Sequence, residues 1–157
     1  MSDSVTDTAV SALIDRQAIV DLTIAYAWFL DHGPHADLAT VFTPDAYALL
    51  GGEECSGADA IIDRVDRALT RLTISQHIVG NHQVAIDGDT ATCRCYFHAQ
   101  HVMHGTEGGD NYIVAGRYDD QLVRTPQGWR IAHRVLTVDW TDGNQAVVRP
   151  PRSTDTA

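Results

Sequence analysis

Positive charge is what this chain is short of. Eleven basic residues, all of them arginine, stand against 21 aspartates and glutamates, a formal charge of −10 with histidine neutral. Such a field repels phosphate backbones and anionic lipid, so nucleic acid and membrane surfaces are poor partners. Long apolar runs are also missing: none reaches the roughly 18 residues that span a bilayer, and no basic segment with an apolar stretch opens the chain. Cytoplasmic residence is therefore expected. Cysteine is scarce and odd in number, with Cys55, Cys93 and Cys95. Cys93 and Cys95 project to the same side of an extended strand and cannot pair with each other, so reduced core thiols are the expectation. Glycine-rich phosphate loops, nucleophile elbows and His-Glu-x-x-His pairs are absent too.

What remains is an ordinary globular composition, 44% hydrophobic and 20% charged over 157 residues, without repeats or low-complexity tracts. That length suits one domain. Residues 1–9 read as a polar, frayed tail, 10–141 as the domain and 142–157 as a second tail. From Val10 to Leu30 the spacing predicts a helix, with Ile19, Leu22, Tyr26 and Phe29 on one row; Gly33-Pro34 stops it. A short helix fits Ala36 to Phe42, and a brief strand Ala46 to Leu50. Ser56 reads as the N-cap of a helix carrying Ile62, Val65, Leu69 and Leu72 inward. Its other face pairs Asp63 with Arg67 and reads as solvated and functionally mute.

From Thr73 the period changes to two, giving strands 74–86, 90–103, 111–124 and 129–140. Helices followed by a long antiparallel meander indicate an α+β fold, with helices on one face of a curved sheet and a conical cavity between them. In strand 90–103 the odd set, Cys93, Cys95, Phe97, Ala99, His101 and Met103, is the inward one. In the last strand the even set, including Arg134 and Trp140, is the expected inner face unless a bulge shifts it. His98, His101 and His104 invite a zinc reading, but a spacing of three alternates faces on a strand, so no metal site is expected.

Two ionisable residues stand out against this apolar frame. Asp31 ends the first helical run and His77 opens the first long strand. A carboxylate that orients an imidazole is a general-base device. Tyr26 and His101 are candidate proton donors or carbonyl-polarising groups. Arg134 on an inner face needs a carboxylate or a substrate oxygen, and Phe97 and Trp140 are candidate apolar contacts for substrate. Tyr112, Tyr118 and Arg117 read as sheet packing or an oligomer interface.

The segments "IDRQAIVDLTIAYAWFLDHG", "VFTPDA", "SQHIVGNHQVAIDGDTATCRCYFHAQH", "AGRYDDQLVR" and "GWRIAHRVLTVDW" cover residues 13–140. In order and spacing they resemble SnoaL-like members of the nuclear-transport-factor-2-like superfamily. The resemblance is to the branch of scytalone dehydratase, hexachlorocyclohexane dehydrochlorinase and bile-acid 7α-dehydratase. It implies a cone-shaped α+β barrel of three N-terminal helices on a strongly curved antiparallel sheet. It further implies an Asp31-supported His77 base, with Tyr26, His101 and Arg134 near substrate, no metal or organic cofactor, and homodimeric or homotrimeric association. The implied activity is a dehydratase-type lyase acting on a small hydrophobic cyclic molecule such as a polyketide, steroid or terpenoid. A polyketide cyclase or double-bond isomerase using the same base, or a non-catalytic small-molecule-binding module, are the alternatives. Specificity is expected in pocket volume and in the loops 43–56 and 104–110.

Overall fold

The structure, a computed structural model, describes residues 2–149, with side chains from residue 8 onward. Helix α1 spans Ser2–His32, so residues 2–9, expected as a tail, continue the helix. Neither glycine nor proline interrupts that stretch. Its buried stripe is Ile19, Thr23, Tyr26, Ala27 and Leu30, in steps of three and four, with Leu22 and Phe29 only flanking it. The stop is at Gly33, whose φ of 59° suits a residue without Cβ. Its amide donates back to the Phe29 carbonyl at 2.9 Å.

A 3-10 helix, His35–Thr40, leads into β1 (Phe42–Leu50), which is longer than the expected 46–50. Pro44 is tolerated there because the ladder to the neighbouring strand is irregular between Phe42 and Tyr47. A short strand β2, Glu53–Ser56, lies where a loop was expected. Helix α2 (Ala58–Leu69) is therefore capped by Gly57, not Ser56, and without a side-chain hydrogen bond. It buries Ala58, Ile61 and Val65, one step round from the expected row.

Strands β3 (Ile74–Asp87), β4 (Thr90–Val102), β5 (Asn111–Thr125) and β6 (Gly128–Gly143) form the expected antiparallel meander. β1 joins β6 in parallel, so the six-stranded sheet, ordered β2-β1-β6-β5-β4-β3, is mixed where an antiparallel one was expected. It curves strongly without closing. Helix α1 lies against β3 and β6, and α2 against β1, β2 and the 3-10 helix, so the helices cover the concave face. β6 continues to Gly143 and a 3-10 turn follows at Gln145–Val147, both within the expected C-terminal tail; residues 150–157 lie outside the described residues. No helix among the described residues is long and apolar enough to cross a membrane.

Candidate active site

Strand alternation puts His77 on the concave side of edge strand β3, and the end of α1 brings Asp31 beside it. Asp31 Oδ1 meets His77 Nδ1 at 2.7 Å, and Asp31 Oδ2 accepts the His77 backbone N–H, also at 2.7 Å. Ser75 Oγ lies 3.3 Å from the same ring nitrogen. Both members of the pair are nearly closed to solvent, with side chains 8% and 7% exposed. An ionised carboxylate can only accept, so Nδ1 carries the hydrogen and Nε2 is left as the basic nitrogen. Burial pushes the Asp31 carboxyl up, but the side-chain and backbone hydrogen bonds from His77 outweigh it and hold the group below the ordinary aspartate value.

A cavity of about 850 Å³ opens on the concave side, with His77, His101, Tyr26, Phe97, Tyr118 and Leu136 in its walls. A second hollow of about 540 Å³ lies outside, between α1 and β3, and reaches Asp31 and His77 but not His101. The inner cavity is the candidate site, because only there does His77 face a second buried imidazole, His101; the other imidazole of the outer hollow, His32, is exposed. The His77 and His101 ring centroids are 5.6 Å apart at an interplanar angle of 77°. His101 is buried, and its Nδ1 has no hydrogen-bond partner among the described residues. Burial, then the neighbouring His77, lowers its pKa to about 4, so at neutral pH it is an uncharged imidazole. The inward odd face of β4 is as expected: Cys93, Cys95, Phe97, Ala99 and His101 are all buried. His98 faces outward, against Trp140.

The cavity floor differs from the sequence-based expectation. Arg134 is fully buried and held by Asp120 through two hydrogen bonds, Nε to Oδ1 and Nη2 to Oδ2, each 2.7 Å. Its guanidinium carbon lies 4.2 Å from the Tyr26 ring centre and 4.3 Å from that of Tyr118. The expected contact of Arg134 with substrate is thus replaced by a carboxylate and two aromatic faces, and Arg134 is not among the residues lining the cavity. Tyr26 and Tyr118 do line it, their rings 5.6 Å apart and edge to face. Burial raises both phenol pKa values, so both hydroxyls stay protonated.

Trp140 was expected on the inner face and is half exposed on the outer one. The β5–β6 register explains this. Gln121 pairs with His133 and Leu122 with Ile131, leaving Ala132 as an extra residue; Ala115 pairs with Trp140 and Gly116 with Val138, leaving Asp139 extra. Each bulge inverts the phase of β6. Arg134, Leu136 and Val138 therefore keep the inner face, and Thr141 takes the place meant for Trp140. Trp28 is exposed as well, so of the three tryptophans only Trp129 fills core. Tyr112 and Tyr118, expected in packing or an interface, are buried cavity residues, whereas Arg117 faces out and pairs with Asp119 and Asp139.

Asp120 and Ser75 escaped the sequence reading, which also missed the place of Tyr118 in the cavity wall. The even positions of β5, Tyr112, Val114, Gly116, Tyr118, Asp120 and Leu122, carried the signal, since an aspartate in phase with a tyrosine and a leucine demands a buried partner. Arg67 was paired with Asp63 from sequence; it donates instead to Glu53 on β2, and α2 presents it and Arg64 at the cavity.

With this geometry established, the chain's relatives can be placed. The SnoaL-like domain family matches residues 11–135, and the chain belongs to it. The fold is that of the nuclear-transport-factor-2-like superfamily. An uncharacterized protein of Mycobacterium tuberculosis is 34% identical over 134 residues, covering 82% of this chain and 88% of its own. The terrestric acid biosynthesis cluster protein E of Penicillium crustosum is 28% identical over 142 residues, 87% and 90% of the two chains. Among solved structures, the type-3 hexachlorocyclohexane dehydrochlorinase of Novosphingobium barchaimii superposes with a TM-score of 0.76 at 18% identity, over 91% of this chain and 99% of its own.

Proposed function

We propose that the protein is a cofactor-independent lyase of the dehydratase type, acting on a small hydrophobic cyclic molecule such as a polyketide, steroid or terpenoid. The observation that carries this reading is the 2.7 Å contact between Asp31 and His77 Nδ1 at the wall of the cavity. His77 Nε2 takes a proton from carbon beside a carbonyl, and Asp31 steadies the imidazolium that results. The neutral imidazole of His101 would hydrogen-bond the carbonyl as charge develops, and the protonated phenol of Tyr26 would do the same or protonate a departing hydroxyl. Phe97 and its neighbours supply the apolar wall. Arg134 enters indirectly, by supporting Tyr26 from beneath. The similarity to a dehydrochlorinase and to a protein of a fungal biosynthetic cluster supports elimination on a secondary-metabolite-like substrate. Cyclisation or double-bond migration would start from the same proton abstraction.

Copies of the chain associate, in this proposal, through the outer sheet face, where Ile78, Tyr96 and Trp140 are exposed. Cytoplasmic residence belongs to the same reading, supported by three free, buried cysteines.

The base can be tested without the natural substrate. In D₂O, the α-protons of 2-tetralone should exchange faster with the protein than in buffer, and His77→Gln should remove roughly 10²–10⁴-fold of that acceleration. Equal exchange by the variant and the unchanged protein would defeat the proposal.

A further inference from the structure

The walls of the cavity are chemically unequal. On the β3–β4 side the ionisable groups are the two imidazoles. On the α2 side they are guanidiniums: Arg64 and Arg67 both line the cavity, at the place where the β1–β2 turn brings Leu50 and Gly51 against the helix. Two cations concentrated at one cavity wall are out of keeping with a chain of charge −10. Their ion-pair contact among the described residues is a single carboxylate, Glu53, which Arg67 and Arg64 share. Arg67 is drawn chiefly by its hydrogen bond and ion pair with Glu53, to which Asp63 adds a smaller pull, so Arg64 is the less fully partnered of the two.

Arg64 is also incompletely satisfied. Its Nε is 3.0 Å from Glu53 Oε2 yet out of line for a hydrogen bond, and it is buried without another acceptor. A guanidinium whose donors are left over beside an apolar hollow suits a planar oxyanion, which it can grip through two parallel hydrogen bonds. The location matters as much as the charge. β2 and β3 are the two edges of the sheet. From β1 to β3 is four strand steps, about 19 Å along the curved surface and less across it.

We infer that the cavity takes an amphipathic acid, whose carboxylate-type oxyanion is held by Arg64 with help from Arg67 while its apolar body extends toward His77. This deepens the proposed function by naming the substrate class, and rests on that reading only for which end reacts. Arg64 and Arg67 are then specificity residues: they select an anionic tail and place the reacting carbon at the far wall. Leu30, Val65, Leu69 and Val114 cover the apolar stretch between.

Two fluorophores of nearly the same shape test it on the full chain, 8-anilinonaphthalene-1-sulfonate and the uncharged N-phenyl-1-naphthylamine. The unchanged protein should bind the sulfonate about 5–10-fold more tightly than the neutral probe, the preference expected of a partly screened ion pair. In Arg64→Gln/Arg67→Gln the preference should fall to parity, with affinity for the neutral probe changed less than twofold. Arg64→Lys, which keeps the charge but loses the two-pronged grip and is the variant to use if the double substitution folds poorly, should keep only part of the preference. A sulfonate preference that survives the double substitution, or no preference in the unchanged protein, overturns the inference. The tetralone exchange reads the base and the probe preference reads the arginines, so failure of the catalytic reading and failure of the binding reading give different results.

Discussion

At the scale of single residues, the site depends on which ionisable groups the fold leaves charged. Asp31 is held ionised and His101 is held neutral, and the two have separate consequences for stability. The folded-state pKa of His101, about 4, lies below its unfolded value near 6.5. Between those values the unfolded chain binds more protons, so stability is complete above 6.5 and is lost as pH falls toward 4. His82, also lowered by burial, contributes in the same direction, its share being lost as the pH falls below the ordinary histidine value. Asp31, lowered by His77, contributes stability that is present above the ordinary aspartate pKa and is lost only at more acid pH. Urea titrations at pH 7, 5 and 4 should show a loss on the order of 2–3 kcal/mol attributable to His101. His101→Phe should remove that part of the slope; the same pH dependence in the variant would mean that His101 titrates normally. Asp31 and His77 were legible in the sequence because each is an ionisable residue inside a clear apolar period. Arg134 was legible as buried, but its partner was not. Asp120 sits in "YDDQ", where two adjacent aspartates face opposite ways and only the strand phase distinguishes them.

At the scale of elements, regular strands were readable and irregular ones were not. β4 pairs with β5 without interruption from Thr90 to Val102, so alternation assigns its faces correctly. β6 has two bulges, and a period-two reading carried across them puts Trp140 on the wrong side. One residue did mark the second bulge. A Cβ on Gly116 would lie 2.0 Å from the Thr137 carbonyl oxygen, so glycine is required where β5 crosses the extra residue of β6. Gly116→Ala should therefore destabilise the fold by roughly 2–4 kcal/mol, far beyond an ordinary strand glycine-to-alanine change. It should also disturb the pairing that keeps Leu136 and Val138 on the cavity side of the sheet. A melting temperature within a degree or two of the parent would contradict this account of the bulge. The short β2 strand escaped notice because "EECS" is polar outside and offers a single buried position, Cys55. That miss also hid the Glu53–Arg67 pair and made the polar face of α2 look idle.

At the scale of the molecule, the α+β architecture was legible because the change of period at Thr73 separates helices from meander. The parallel pairing of β1 with β6 was not, since no local pattern reports which edge a returning strand will choose. The two faces of the sheet now have different tasks. The concave face holds the cavity, and the convex face carries a row in which Ile78, His98, Ala115 and Trp140 are neighbours across four strands. Exposed isoleucine and tryptophan in one row are expected at a subunit contact. Light scattering on Trp140→Glu should give a smaller particle than the parent protein while tetralone exchange persists in part. An unchanged mass would remove this face from the proposed contact.

The account as a whole depends on the carboxylate fixing the ring of His77, and nitrogen-15 spectra of that imidazole read this directly. In the neutral state, His77 should show a protonated Nδ1 and a bare Nε2, and Asp31→Ala should replace this single tautomer with the mixture of an untethered histidine. A neutral ring already protonated at Nε2, or a spectrum unaltered by Asp31→Ala, would contradict the Asp31–His77 base.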